Sequence, residues 1–452
     1  MDYSLISSSR WSAVNSQRMP KEKNLKLKKK TFQAPKGTFD ILPSDQVWRE
    51  KICKIANEVA KGYGFGKIET PIIEDTELFV RGTGADTDIV EKQMYTFKTK
   101  GGDSLSLRPE FTPGVIRAFL ENGLSSLPQP VKLYSVGPLF RYERPQAGRY
   151  RQFNQINFET IGSQSSATDV QIIQMFFVIF KEIGLKGINL QINSIGCKDC
   201  RPAYRKVLTN YYRNKTDRIC VDCRRRLKEN PLRLLDCKEE KCVILRNSAP
   251  HIIDHLCESC HNHFKSVLEF LDELEIPYML NSYLVRGLDY YTKTVFEFWP
   301  EDESVRQAAL GGGGRYDYLV KLLGGRDTPA VGGGCGLERI INQLNAQNAK
   351  INLPASPRVF LIQLGDLAKK KGLKLFEQLR KENIYITESF SKDSIKTQLR
   401  LADKAGAKVA LILGQQEVLE KTIIVRDMAI GVQETIKQDN LVKELKKRFS
   451  KK

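Results

Sequence analysis

The pattern of apolar and polar positions divides the chain into stretches of different texture. From about residue 37 to 195, helical stretches mix with β-rich runs, above all 131–142 and 151–161. Between 197 and 263 the text turns cysteine- and arginine-rich and reads as an insertion. Strand-like text resumes at 295–299 and leads into two glycine clusters, 311–314 and 332–334. The segment 352–357, Asn-Leu-Pro-Ala-Ser-Pro, has the composition of a linker and marks a boundary.

Beyond that boundary the pattern alternates regularly. Residues 358–364 form a buried-strand run, followed by a helix carrying Lys369 and Lys370. A second strand is expected at 384–387, a helix at 394–405, and a third strand at 408–413 ending in Gly414. Strand, helix, strand, helix, strand predicts a small, right-handed, mostly parallel α/β domain. Such a domain is common and by itself names no function.

Composition narrows the classes. A chain of 452 residues allows two or three domains, and 41% hydrophobic with 28% charged residues suits a soluble globular protein. The longest apolar stretch, 175–180, lies inside an amphipathic segment, far short of a membrane span. Residues 1–30 are Ser-rich, basic and without periodicity, so a disordered extension is expected there rather than a secretory signal. The formal net charge of +19 attracts polyanions: nucleic acid, anionic lipid or phosphorylated substrates. A merely solubilising surface is the bland alternative, and part of the excess sits in the basic stretches 21–30 and 443–452.

Eight of the ten cysteines fall in the insertion as four close pairs: Cys197 with Cys200, Cys220 with Cys223, Cys237 with Cys242, and Cys257 with Cys260. This spacing suits zinc better than disulfides in a cytosolic enzyme. Two structural zinc ions are expected, or one if half the pairs do not bind. Free thiols are the alternative, and His255, His261 and His263 could substitute as ligands. Cys53 and Cys335 stand apart and read as ordinary buried thiols.

No GxxxxGK loop followed by Ser or Thr occurs, and no GxGxxG sits between a strand and a helix. A chain like this that used ATP would have to grip the phosphates with side chains, which favours the rigid fork of arginine. The segment 140–153, FRYERPQAGRYRQF, is the densest candidate. Strand side chains alternate, so Arg141 and Glu143 share a face, as do Arg149, Arg151 and Phe153 after the turn. Guanidinium against phosphate and ring against base would suit a nucleotide, and a solvated basic hairpin is the competing reading.

The same segment resembles motif 2 of class II aminoacyl-tRNA synthetases in its histidyl form. Residues 327–339, DTPAVGGGCGLER, are similar to motif 3, and residues 64–78 around Pro71 to motif 1. Two more segments, 284–291 (LVRGLDYY) and 312–317 (GGGRYD), resemble stretches particular to histidyl-tRNA synthetases. The resemblance implies an α+β catalytic domain built on an antiparallel sheet over 31–196 and 264–351, with the lobe 197–263 inserted. It also implies an α/β anticodon-binding domain over 358–452, and a homodimer through motif 1.

The activity implied is ATP-dependent joining of L-histidine to tRNA(His) through a histidyl-adenylate, with Mg2+ on the outer phosphates, in the cytoplasm and away from membranes. Catalysis would be positioning and electrostatics, with Arg141 and Arg286 on the α-phosphate and carboxylate and Arg339 on the γ-phosphate. Phe153 would stack on adenine, with Glu143 and Arg149 completing the ATP site. Glu159 and Tyr291 would read the imidazole ring, and Glu110, Thr112 and Gln155 the α-amino group, with Tyr290 and Arg286 beside them. Arg144 and Gln146 would approach the tRNA acceptor end, and Arg224 to Arg226 suggest that the lobe touches the acceptor arm. One departure stands out: Phe111 occupies a position where a small residue is expected, and a ring aimed into the pocket would weaken amino-acid binding. The synthetase-like regulatory subunit of histidine biosynthesis is the alternative; it typically lacks the anticodon domain and erodes the motif residues, and this chain keeps both.

Overall fold

The computed structural model describes residues 32–146, 148–302, 309–351 and 359–450; the expected extension (1–30) and linker (352–357) lie outside them. The chain divides into two compact units. One gathers residues 60–176 and 187–340 with the described residues before Leu42, the other residues 42–59, 177–186 and those described after Ile340.

The first unit is built on an eight-stranded sheet. Its strands are β1 (Gly66–Lys67), β5 (Val131–Phe140), β6 (Gln152–Ile161), β7 (Ile188–Ser194), β8 (Tyr278–Leu280), β9 (Thr292–Pro300), β10 (Gly311–Arg315) and β11 (Ala330–Gly336). They lie in the order β1-β5-β6-β11-β10-β9-β7-β8. The six inner strands pair antiparallel, and the edge strands β1 and β8 run parallel to their neighbours. A satellite sheet holds β2 (Ile73–Asp75), β3 (Tyr95–Lys98) and β4 (Ser104–Leu107). The expected antiparallel catalytic sheet is thus present.

The runs at 131–142 and 151–161 become the longest hairpin, with Val131 opposite Ile161 through to Phe140 opposite Gln152. Its inward residues make an aromatic core: the Phe158 ring lies 5.6 Å from Phe65, 6.1 Å from Tyr134 and 5.4 Å from Phe176. Large offset or edge-on rings bury much apolar area and hold the hairpin rigid behind the turn that carries residues 141–151.

The helices, in chain order, are α1 (Pro43–Gly62), α2 (Thr76–Thr83), α3 (Thr112–Glu121), α4 (Ser166–Ile183), α5 (Cys200–Arg213), α6 (Val221–Glu229), α7 (Glu240–Arg246), α8 (Glu258–Glu273), α9 (Leu319–Leu322) and α10 (Leu337–Ala346). Pro113 stands in the first turn of α3, where its missing N–H costs no helical hydrogen bond. Helices α5 to α8 make up the insertion. Among the described residues, no helix is long and apolar enough to cross a membrane.

The second unit carries a five-stranded sheet of β12 (Val359–Gln363), β13 (Ile386–Glu388), β14 (Val409–Leu413), β15 (Thr422–Asp427) and β16 (Gln433–Lys437), ordered β13-β12-β14-β15-β16. Its helices are α11 (Asp366–Lys381), α12 (Ile395–Lys404), α13 (Gln415–Glu420) and α14 (Leu441–Ser450). Val359 and Leu361 pack with Leu375 and Leu441 on one face, Phe360 and Ile362 with Ala402 on the other. Burial on both faces explains the unbroken apolar text of β12. The expected parallel strands are there, but β15 and β16 add an antiparallel hairpin that the sequence analysis does not anticipate. The exposed outer positions of β16 dilute its apolar signal.

Candidate active site

Two glycine-rich strands form the floor of the site. Gly312, Gly313 and Gly314 of β10 pair with Gly334, Gly333 and Gly332 of β11, so no side chain rises there. The space is already taken: a Cβ on Gly332 would lie 1.7 Å from Glu159 Oε2, and one on Gly312 2.9 Å from Arg286 Nη1. Charged side chains thus demand glycine at Gly332 and Gly312, while at Gly313 and Gly314 a Cβ would run into the backbone of the neighbouring strands.

Over this floor opens a cleft of about 380 Å³ whose lining includes Arg141, Glu143, Arg149, Phe153, Gln155, Arg286 and Arg339. These expected ATP and histidine contacts come from the hairpin, the loop before β9, and α10. Arg141 donates from Nε to the Pro109 carbonyl at 2.9 Å, and its guanidinium lies 5.4 Å from the Phe153 ring. Arg339 donates to the carbonyls of Gly148 at 3.0 Å and Ala309 at 2.6 Å. Burial, then the neighbouring charge of Arg141, pulls the Arg339 pKa down to about 10. Cations crowded together this way are stabilised by an anion among them.

Several polar atoms of the cleft make no hydrogen bond, although Glu143 Oε2 is ion-paired with Arg149 Nη1 at 3.6 Å. Arg149 Nε, Arg286 Nε and Glu143 Oε2 are buried without a hydrogen bond to any described residue. Buried polar groups usually find a partner, and a polar ligand in this cleft would supply one. Arg286 is anchored by an ion pair to Glu297, which Trp299 Nε1 also holds at 2.9 Å. Arg151 behaves differently from the expectation that it shares the nucleotide face. It lies 3.9 Å from the Tyr142 ring and donates to the Glu143 carbonyl at 3.3 Å, bracing the hairpin from outside.

Deeper in the same unit lies a polar cluster. Glu159 is 1% exposed. It accepts from Thr112 Oγ1 at 2.6 Å, from Asn157 Nδ2 at 2.7 Å and from the Tyr316 hydroxyl. Its partners are hydroxyls and an amide rather than an arginine. Burial pushes its pKa up to about 7. Glu110 is likewise buried and its pKa raised by burial; it accepts from Thr83 Oγ1 at 2.5 Å and from the Tyr290 hydroxyl at 2.7 Å. The Tyr291 ring lies 4.6 Å from Tyr290 and 5.8 Å from the Arg286 guanidinium.

Thr83, Asn157 and Tyr316 escape the sequence analysis, although Tyr316 sits inside one of the quoted motifs. Phe111 turns away from the pocket: its ring is buried in the apolar core with Val115 and Ile116, under the Arg108 guanidinium at 4.6 Å. Arg144 and Gln146 are exposed at the hairpin tip.

The insertion contributes more than expected. Arg233, Asp236 and Lys238 line the cleft from the lobe side. Arg225 pairs with Glu91 at 2.7 Å and Arg226 with Asp88 at 3.2 Å, so two of the three arginines at 224–226 latch the lobe to residues 88–91. Ion pairing to a nearby carboxylate satisfies them, and Arg224 alone stays exposed.

The cysteines gather as two sets of four, Cys197, Cys200, Cys257 and Cys260, and Cys220, Cys223, Cys237 and Cys242, each with its sulfurs within 4.8 Å of one another. No histidine joins them: His263 bonds Asp169 at 3.1 Å, His251 meets the Tyr283 hydroxyl, and His255 lies against the Tyr204 ring. Cys335 is buried as expected, whereas Cys53 is half-exposed.

Comparison with known proteins agrees with this geometry. Residues 37–340 match the family model described as histidyl-tRNA synthetase, and residues 358–448 match an anticodon binding domain. The histidine–tRNA ligase of Dehalococcoides mccartyi is 45% identical over 418 residues, 92% of this chain and all of that protein. That of Pelotomaculum thermopropionicum is 45% identical over 416 residues, 92% of this chain and 98% of the relative. The crystal structure of apo Staphylococcus aureus histidyl-tRNA synthetase superposes with a TM-score of 0.75 at 35% identity, covering 92% of this chain and all of that one. With a matching catalytic model across most of its length and the motif residues assembled around one cleft, the chain belongs to the histidyl-tRNA synthetase family.

Proposed function

We propose the following division of labour for the family's reaction, the ATP-dependent attachment of histidine to tRNA(His). The observation that carries it is the cleft itself: crowded arginines with unused donors open beside a buried carboxylate pair over a glycine floor. Arg141 and Arg286 hold the α-phosphate and the histidine carboxylate, and Arg339 with Arg149 takes the outer phosphates. Attack of the carboxylate on the α-phosphate gathers negative charge between these guanidinium groups, which are already in position and need no reorganisation. Phe153 stacks on adenine once Arg141 turns to phosphate. Mg2+, when bound, would neutralise the outer phosphates, and Glu143, which lines the cleft with its Oε2 3.6 Å from Arg149 Nη1, is a carboxylate that would face it.

Glu159 in its ionised form accepts a proton-bearing imidazole nitrogen, with Tyr291 at the other, and Glu110, Thr112 and Gln155 receive the α-amino group. Tyr290 and Tyr316 hold the two carboxylates in place. Arg144 and Gln146 meet the acceptor end. An open groove on the lobe, about 690 Å³ and lined by Arg205, Lys206, Arg213 and Lys228, suits backbone phosphates. We assign the domains as the sequence suggests, catalytic over 31–196 and 264–351, the lobe over 197–263, and anticodon-binding over 358–452, on the strength of the family matches over 37–340 and 358–448. A homodimer through residues 64–78 is supported by Ile72 and Ile73, 43% and 46% exposed there. A reducing compartment, the cytoplasm, suits eight clustered thiols.

Each cysteine set binds one structural zinc ion. Four sulfurs at zinc–thiolate distance on a tetrahedron stand about 3.8 Å apart. Cys197 lies 3.7 Å from Cys200 and 3.9 Å from Cys257, and Cys220 lies 3.8 Å from Cys237. The test of the catalytic reading is exchange of labelled pyrophosphate into ATP with each amino acid in turn. Exchange with histidine alone is expected; exchange with no amino acid by folded, zinc-replete protein that still binds histidine would point to a regulatory relative.

A further inference from the structure

The insertion leaves the catalytic sheet after β7 and returns through α8, and one cysteine set closes that loop at its root. Cys197 and Cys200 come from the exit, Cys257 and Cys260 from the return. The exit strand is also hydrogen-bonded to the segment that carries Tyr291. The Ile195 N–H donates to the Lys293 carbonyl at 2.8 Å, and the Lys293 N–H to the Gly196 carbonyl at 2.9 Å. Gly196, at φ +65°, sits where a Cβ would come within 2.8 Å of Cys200 Cβ, so the chain turns into the cysteine knuckle only with glycine. The Cys257 N–H then donates to Cys200 Sγ at 3.1 Å, joining exit and return.

Cys200 is the first residue of α5, and the next residue reaches back toward the pocket. Arg201 donates from Nε to the Ile195 carbonyl at 3.2 Å and from Nη2 to the carbonyl of Tyr291. Arg201, Tyr291, Arg286 and Asp289 share the wall of a cavity of about 400 Å³. One short path of contacts therefore runs from the root thiolates through Arg201 to the backbone of the imidazole-reading tyrosine.

We propose that Arg201 is a positioning residue that carries the order imposed by zinc at the root site to Tyr291, so that this metal sets the affinity for histidine. The inference rests on the zinc reading above and adds to it a link to the substrate pocket. Outer contacts of this kind change binding without touching the substrate, typically by ten- to a hundredfold.

The experiment compares the full-length enzyme with Arg201→Ala, Arg201→Lys and Cys257→Ser, measuring zinc per chain and the KM for histidine and for ATP in pyrophosphate exchange. Two zinc ions are expected in the wild type and both Arg201 variants, and about one in Cys257→Ser. The histidine KM should rise about tenfold in Arg201→Ala and Cys257→Ser, with the ATP KM within about twofold, and Arg201→Lys should recover part of the loss. If Cys257→Ser fails to fold, Arg201→Ala carries the test, since it keeps all four thiolates. A wild type with under about 0.3 zinc per chain would overturn the metal reading and the coupling together. Two zinc ions with an unchanged histidine KM in Arg201→Ala, or equal rises in both KM values, would overturn the coupling alone.

Discussion

The cleft and the polar cluster buried deeper in the same unit, proposed above as the nucleotide and amino-acid ends of one site, are built on opposite principles. At the nucleotide end, Arg149 and Arg286 carry buried donors with no partner among the described residues, and Arg339 sits among like charges. At the amino-acid end, Glu159 and Glu110 already accept five hydrogen bonds between them. An open, like-charged cluster is relieved by any suitable polyanion, so it supplies affinity and transition-state stabilisation more than discrimination. A filled, rigid polar pocket rejects ligands that leave its groups unmatched, so it supplies specificity. The glycine floor serves both by letting each charged group lie against the backbone.

Substitutions that break this contrast should differ in size. Arg286→Ala should cost the most, about a thousandfold in kcat for pyrophosphate exchange, because it removes a preorganised cation and leaves Glu297 with only its Trp299 hydrogen bond and no counter-ion. Gly332→Ala comes next: its methyl would collide with Glu159, so the histidine KM should rise by roughly a hundredfold, with a loss of about 1–3 kcal/mol of stability by denaturant unfolding. Unchanged histidine binding there would mean the floor is not what seats Glu159.

The pH dependence sharpens the same point. The folded enzyme holds a proton on Glu159 up to about pH 7, above the ordinary carboxylate range. Raising the pH from about 4.5 to 7 therefore costs folding stability, and the ionised form that accepts an imidazole N–H accumulates only above about 7. The histidine KM should fall as the pH rises through 7, while the ATP KM stays flat over the same range. Phe153→Ala is the smallest expected change, with the ATP KM raised by up to about tenfold through lost stacking and the histidine KM nearly constant.

Local signals made part of this legible in the sequence. The hairpin of β5 and β6, the glycine strands, and the β12 to β14 alternation are written in short-range patterns, and the residues of 140–153 sit together because they are neighbours in the chain. Partners joined across the sheet could not be read that way. Thr112 and Glu159 are 47 positions apart and Tyr316 and Glu159 157, so their meeting depends on how α3 and the end of β10 pack over β6. The same limit hid which cysteine pairs combine: Cys197 meets Cys257 across 60 residues, passing over the nearer pair at Cys220 and Cys223. The pairing of Arg225 with Glu91 and of Arg226 with Asp88 was equally out of reach, because a basic run reads the same with or without carboxylates folded against it.

The most direct test of the two-ended site is to measure the histidine KM and the ATP KM side by side in Glu159→Gln and Arg339→Ala. The account predicts a crossed result: Glu159→Gln raises the histidine KM by about a hundredfold with little change for ATP. Arg339→Ala raises the ATP KM by about tenfold or more with little change for histidine. If both variants weakened both substrates alike, the separation of an affinity end from a specificity end would be wrong.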